Sequence, residues 1–143
     1  MPKYDFLVVG SATLDVIAKT GDVERIDIAG KHVEHLVCIS FASKSELDGL
    51  ELHPGGSGAN SAIMMRILGS SVGLLSAVGN DVFGSIVQAD LRKNKINKVI
   101  VKNASTGVGL SILSGGEKSI LIYRGANSEL GPSDISKIVA NRV

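Results

Sequence analysis

Segments with the apolar pattern of β-strands alternate along this chain with segments that have the pattern of helices. In order, these segments lie at 6–9, 57–68, 72–78, 82–95 and 98–101. When strands and helices alternate with short links, each helix carries the chain back so that the next strand pairs in parallel with the last. The pattern therefore predicts an α/β fold on a parallel sheet, with one more helix that begins at Pro132.

Two β-rich segments interrupt this alternation. The first contains short β-prone pieces that glycines separate, and the second contains two β runs joined by a turn at 114–118, the signature of a hairpin. We expect the two segments to meet as one small sheet that projects from the α/β body, with strands within about 16–45 and 106–123. The sequence His-Pro-Gly-Gly at 53–56 predicts a break in secondary structure before the first helix.

Composition excludes several classes of protein. The 143 residues are 44% hydrophobic and 20% charged, which is typical of a packed core rather than of disorder. Fifteen basic against 14 acidic residues, with no basic block, leave no electrostatic footprint for nucleic acid or for an anionic membrane. No apolar run approaches a signal peptide or a membrane span, so we expect a cytoplasmic protein. Cys38 is the single cysteine, and the sequence offers no metal site.

The 17 glycines are clustered, and the densest cluster is Gly-Gly-Ser-Gly-Ala-Asn at 55–60. Glycines let a ligand approach the backbone, a helix start offers free N–H groups, and the amide of Asn60 both donates and accepts, as the recognition of hydroxyls requires. Tight packing of a helix on a sheet also selects Gly and Ala, so this pattern alone leaves both readings open. It is neither a Walker loop, since no Gly-Lys-Ser/Thr follows, nor a dinucleotide fingerprint, since Ser61 takes the place of the third glycine. A dinucleotide-dependent oxidoreductase is therefore disfavoured.

Several motifs in a fixed order resemble one family. They are Gly10-Ser11 with Asp15, the Gly-Gly-Ser-Gly-Ala-Asn-Ser-Ala run at 55–62 with Gly69 and Gly79, Asn80-Asp81 with Phe83-Gly84, Thr106-Gly107 and Gly125-Ala126-Asn127. Together they resemble the N-terminal signature of the ribokinase-like, or PfkB, carbohydrate kinases, over nearly the whole chain. That family transfers the γ-phosphate of ATP to a hydroxyl of a sugar, a sugar phosphate or a nucleoside.

The resemblance implies a substrate site. In it, Asp15 accepts hydrogen bonds from substrate hydroxyls, as a carboxylate with two oxygens can do for adjacent hydroxyl groups. Gly55, Gly56 and Asn60 form the second arm, where the glycines admit the edge of the sugar to the backbone. The β-rich segments correspond to a lid that closes over the sugar, excludes water and often joins two subunits.

The chain departs from the ribokinase pattern at two positions of this site. Thr13 stands where ribokinases have Asn, and Ser57 stands where they have Lys. These departures weaken an assignment to ribose, so the substrate stays open among sugars, sugar phosphates and nucleosides. Tyr123 and Arg124, at the end of a lid strand, are further candidates for contact with a substrate or a second subunit. Asp81 is interpreted as the N-cap of the second helix.

The nucleotide side of such a site is not found in this sequence. The family places its catalytic base and an anion-binding helix start in a later Gly-Ala-Gly-Asp motif, which these residues lack, so no catalytic residue is assigned. We therefore expect the N-terminal half of an incomplete doubly wound domain, spanning 1–143, from an enzyme that uses ATP and Mg²⁺. The chain by itself is expected to be inactive, to bind no cofactor tightly and to form a homodimer through the lid. The alternative is a non-enzymatic ligand-binding or dimerising module derived from such a kinase.

Overall fold

A computed structural model describes residues 4–30 and 34–140, without the side chains of 34, 97–99 and 137–140. Residues 31–33 of the expected lid lie outside the described residues. The strands are β1 (Phe6–Val9), β2 (Thr13–Lys19), β3 (Glu24–Ile28), β4 (Glu34–Cys38), β5 (Gly49–Gly55), β6 (Val72–Gly79), β7 (Asn97–Lys102), β8 (Val108–Ser114) and β9 (Glu117–Tyr123). The α-helices are α1 (Ser57–Ile67), α2 (Val82–Lys93) and α3 (Pro132–Ala140), and a 3₁₀ helix spans Gly125–Glu129.

The body of the fold is a parallel sheet with the strand order β1-β6-β7, as the alternation predicts. Its central strand β6 is buried along its whole length. Helices α1 and α2 pack against this sheet, and their residues Ala59, Ala62, Val87 and Leu91 share one core with Leu74 of the central strand. The fold class is thus the α/β class that the sequence indicates.

A second sheet, which we call the lid sheet, has the strand order β5-β2-β8-β9. Strands β2 and β8 pair in parallel, and the outer pairs are antiparallel. The two β-rich segments therefore meet in one sheet, as expected from the sequence. The strands of the first segment differ from the expected range of 16–45, because β2 already begins at Thr13 and β5 spans 49–55. The strands inside that range, β3 and β4, form a separate two-stranded hairpin.

The break predicted at 53–56 is wrong for its first three residues, because His53, Pro54 and Gly55 continue β5 to its end. Pro54 lies opposite Leu14 of β2. Strand β5 is the edge of the lid sheet, where the missing N–H of a proline removes no bond to a further strand. The break in secondary structure comes one residue later, at Gly56.

The carboxylate of Asp81 joins α2 to the start of the lid sheet. Its Oδ1 accepts from the backbone N–H of Gly84 at 2.7 Å, which confirms the predicted N-cap, and from the hydroxyl of Thr106 at 2.6 Å. The backbone N–H of Thr106 donates to Oδ2 at 2.7 Å. Burial raises the pKa of Asp81, but hydrogen bonds from the Thr106 hydroxyl and from the N–H groups of Thr106 and Gly84 outweigh it and lower this pKa below its ordinary value.

Among the described residues, apolar side chains are exposed on several surfaces, and two of these surfaces belong to the parallel sheet and the lid sheet. Phe6 and Val9 of β1, the edge strand of the parallel sheet, are 51% and 49% exposed. On the lid sheet, the face that carries Leu50, Leu121 and Tyr123 is also exposed at its two edge strands. Among the described residues, no helix has the length and hydropathy that crossing a bilayer requires.

Candidate functional site

The predicted site residues meet where the carboxyl end of β1, the start of α1 and the base of the lid sheet converge. In α/β proteins this edge of a parallel sheet is the usual place for a ligand, because loops and helix starts gather there. Alternation along the strands gives the lid sheet two faces. Asp15, Gly109 and Ile122 lie opposite one another across β2, β8 and β9, and so share the face that we call inner.

Asp15 is half-buried in the inner face, and small neighbours leave room for its carboxylate. A Cβ on Gly109 would stand 2.9 Å from its Oδ1, and a Cβ on Gly55 would overlap its Oδ2. The hydroxyl of Thr13 donates to Oδ1 at 3.2 Å, and among the described residues this is the one hydrogen bond that the Asp15 carboxylate accepts. A carboxylate has about four lone-pair directions on its two oxygens, so Asp15 retains acceptor capacity for a ligand.

Gly56 brings the chain from β5 into α1 along a path that only glycine takes easily. It has a φ of +95°, and a Cβ there would stand 2.6 Å from the carbonyl oxygen of Ser11. The carbonyl oxygen of Ser11 accepts a hydrogen bond from the N–H of Ala59 at 3.0 Å, and the side-chain hydroxyl of Ser11 accepts one from the N–H of Ser57 at 3.2 Å. The structure thus uses two N–H groups of the helix start, which the sequence suggested for a ligand, to hold α1 against Ser11.

These elements enclose an open cavity of about 460 Å³. This volume falls in the range of about 300–1,000 Å³ that is usual for small-molecule sites. The cavity is lined by Ser11, Thr13, Asp15, Gly56, Ser57, Asn60, Gly109, Ser111, Lys118, Ile120 and Ile122. Five of the six residues predicted to bind substrate line it, and Gly55, the sixth, backs the Asp15 carboxylate.

The two further candidates lie outside this cavity. Tyr123 follows Ile122 on β9, so alternation turns it to the outer face of the lid sheet, where it lines an apolar cavity of about 380 Å³ together with Phe83 and Val108. Arg124 lines a smaller neighbouring cavity, which shares Ser11, Thr13 and Ile122 with the candidate site.

Sequence reasoning did not single out the wall that β8 and β9 supply, which consists of Gly109, Ser111, Lys118, Ile120 and Ile122. The hairpin itself was predicted, and period two already groups 118, 120 and 122 on one face. What the sequence does not show is that β8 pairs with β2 in the register that sets Gly109 beside Asp15.

Asn127, which the sequence placed only in a Gly-Ala-Asn motif, positions the entry to β2. Its side-chain oxygen accepts from the N–H of Ala12 at 3.2 Å and from the hydroxyl of Ser76 at 3.1 Å. Its amide nitrogen donates to the carbonyl oxygen of Ala12 at 2.9 Å. These contacts link the end of the lid sheet to the central strand of the parallel sheet, and so fix Ser11 and Thr13 on either side of Ala12.

Comparison with known proteins identifies the family. The family model described as pfkB family carbohydrate kinase matches residues 11–142. The chain belongs to this family. The chain is 27% identical to a ribokinase of Bacillus subtilis over 88% of the chain's length, and 31% identical to a deoxyribokinase of Salmonella typhi over 93% of it.

The solved structures agree with this assignment. A crystal structure of a ribokinase from Cryptococcus neoformans in complex with ADP superposes with a TM-score of 0.63, at 27% identity over 84% of the chain. The chain spans only part of these proteins: 39% of the Bacillus ribokinase, 40% of the Salmonella deoxyribokinase and 34% of the Cryptococcus chain. The α/β architecture is thus that of the N-terminal portion of the ribokinase fold.

Proposed function

We propose that this chain is the substrate-binding part of an ATP-dependent kinase that phosphorylates a hydroxyl of a sugar, a sugar phosphate or a nucleoside. The observation that carries the proposal is the half-buried Asp15 carboxylate, which faces the cavity with unused acceptor capacity between two glycines. Asn60 of α1 also lines the cavity, where its amide can supply a donor and an acceptor to the same ligand.

The walls suit a sugar because they differ in polarity. Thr13, Ser57 and Asn60 supply polar groups around Asp15, and Ile120 and Ile122 supply apolar surface from the lid sheet. A sugar ring has hydroxyls at its edge and C–H groups on its faces, so it can satisfy both walls. A ligand held against the lid sheet is shielded from water, which competes with the sugar hydroxyl as a phosphoryl acceptor.

The nucleotide side of the reaction is assigned to sequence beyond this chain. The family resemblance calls for ATP and Mg²⁺, with a base supplied by a Gly-Ala-Gly-Asp motif that these residues do not contain. Within residues 4–30 and 34–140, no group of three or more His, Cys, Asp and Glu side chains has the placement to hold a metal ion. We propose that phosphoryl transfer depends on residues outside this chain, and that the chain alone is inactive and cytoplasmic.

The outer face of the lid sheet supports the proposal of a homodimer. Leu50, Leu52, Leu121 and Tyr123 are 47–61% exposed on its two edge strands. The accessible surface of 9,295 Å² exceeds the roughly 7,000 Å² expected of a folded monomer of this mass, so the chain leaves unusual area uncovered. The same exposed face favours the second candidate function, a dimerising ligand-binding module without catalysis.

Measurements of ligand binding, ATP turnover and oligomeric state test these proposals one by one. We expect titration calorimetry with a panel of sugars and nucleosides to find a ligand, and Asp15→Asn to weaken it at least about tenfold, since hydrogen bonds to a charged group are the stronger ones. Asp90→Asn, on α2, is the matched control. An unchanged affinity of the Asp15 variant would reject the proposed site, and turnover of ATP by the chain alone would reject its inactivity. Sedimentation that shows only monomer at high concentration would reject the dimer.

A further inference from the structure

Some charged side chains on the inner face of the lid sheet have a partner of opposite charge and others do not. At the base of the cavity stands the Asp15 carboxylate. At the far end stand Lys19 and Lys118, which lie opposite Leu113 from either side and so share the inner face. Lys19 forms an ion pair with Glu51 of the edge strand β5, which neutralises it. The charge of Lys118 is thus the one that determines which ligands this end of the cavity favours.

Lys118 lines the cavity without a counter-charge among the residues that the structure describes. The acidic residue next to it, Glu117, forms an ion pair with Arg25 of the β3–β4 hairpin at 3.4 Å. Arg25 is held in turn by Asp27, with its Nε 2.9 Å from Oδ1. The neighbouring carboxylates therefore serve the contact between hairpin and lid sheet, and the ammonium of Lys118 remains available to a ligand.

The spacing along β9 keeps Lys118 away from the Asp15 carboxylate. Ile122 lies at the level of Asp15, two strands away, and Lys118 precedes it by four residues. Four residues of a strand span about 13 Å, and the long side chain of Lys118 shortens the remaining gap. A ligand whose hydroxyls contact Asp15 therefore reaches Lys118 only through a substituent at its opposite end, beyond the apolar side chains of Ile120 and Ile122.

We infer that the cavity takes a sugar that carries an anionic group, a phosphate or a carboxylate, and that Lys118 binds this group. The inference rests on the proposed function and specifies its substrate class. Lysine recognises phosphate and carboxylate as a point charge with three donors, and the negative Asp15 disfavours the same group at the base of the cavity. The two charges thus orient the ligand, with its hydroxyls at Asp15 and its anion at the outer end.

The test uses the full chain and pairs of ligands that differ in the anionic group: ribose with ribose 5-phosphate, fructose with fructose 6-phosphate, and glucose with glucuronate. We expect the best anionic sugar to bind at least about fivefold more tightly than its neutral counterpart at low salt, and high salt to reduce the difference. Lys118→Gln should abolish the preference for the anionic sugar, and Lys118→Arg should keep it. Lys93→Gln, in the last turn of α2, removes the same charge elsewhere and should change nothing.

Three results would overturn the inference in distinguishable ways. Equal affinity for neutral and anionic sugars would reject it and leave the sugar site intact. A preference that survives Lys118→Gln and is lost in Arg124→Gln would move the anion to the neighbouring cavity. Failure of every sugar to bind would reject the proposed function along with it. Comparing the phosphate ligands with glucuronate then decides which anion the site prefers.

Discussion

Replacing Gly56 by alanine tests the packing on which the candidate site depends, and Gly69 provides a matched control. The two glycines have almost the same φ, +95° and +96°, at the two ends of α1. They differ in their surroundings. A Cβ on Gly56 would meet the backbone of Ser11 at 2.6 Å, while no described atom lies within 4 Å of a Cβ on Gly69.

The two substitutions should therefore differ in cost. Gly69→Ala forces a side chain into positive φ, which costs about 1–2 kcal/mol. Gly56→Ala meets a comparable backbone strain of about 1–3 kcal/mol and adds an overlap with backbone atoms, for which overpacking costs of about 1–3 kcal/mol are typical. We expect Gly56→Ala to lose about 2–6 kcal/mol of the free energy of unfolding and Gly69→Ala about 1–2 kcal/mol.

Urea unfolding followed by circular dichroism measures both values, and titration with the best sugar ligand measures the effect on the site. Relief of the overlap moves the start of α1 away from Ser11, and with it Ser57 and Asn60 on the cavity wall. Gly56→Ala should therefore lose sugar affinity, whereas Gly69→Ala should bind normally even though it is less stable. Equal destabilisation of the two variants, or full affinity in Gly56→Ala, would refute the reasoning.

Two further predictions concern the residues that support the site. Asp81→Ala should cost about 2–4 kcal/mol in urea unfolding, because it removes the cap of α2 and leaves the buried hydroxyl of Thr106 without its acceptor. Because the pKa of Asp81 is lowered in the folded state, its carboxylate contributes its full stabilisation above the unfolded pKa of about 3.9 and loses it as the pH falls through the folded pKa. Asp81→Asn should therefore reduce the dependence of the free energy of unfolding on pH below about pH 4. A pH profile that keeps its full slope there would contradict this. Asn127→Ala should cost about 1–3 kcal/mol and weaken sugar binding, since Ala12, between Ser11 and Thr13, loses both of its bonds to that side chain; an unchanged affinity would separate Asn127 from the site.

The parallel sheet was predictable because its signals are local. Each strand is a short apolar run and each helix follows a recognisable start, as Asp81 shows for α2, where the cap forms as predicted. The order of these elements then leaves few topologies, because crossovers between parallel strands are right-handed. The cavity residues from β2 and from the start of α1 could be predicted for a related reason, since the family motifs mark their positions directly.

The lid sheet was predicted only in part, because its pairing depends on contacts distant in sequence. Strand β2 pairs with β8, which lies about ninety residues later, and no local pattern fixes that register. Pro54 and Gly55 illustrate the same limit. Locally they indicate a break, but at the edge of a sheet the proline loses nothing by lacking an N–H, so the strand continues through both.

The pairing of β2 with β5 and β8 also explains why two glycines of this chain have to be considered together. Gly55 and Gly109 belong to strands on either side of β2, and each leaves a gap at the same carboxylate. A single strand glycine ordinarily weakens a sheet, because it adds no side chain to the packing. Two glycines beside the same acidic side chain lose the packing that larger side chains would provide, but they leave open space around its carboxylate oxygens. A ligand with several hydroxyls requires such space. If Asp15 only stabilised the fold, larger neighbouring side chains that fill this space would stabilise it more. The space around its carboxylate is therefore the structural argument that Asp15 binds a ligand.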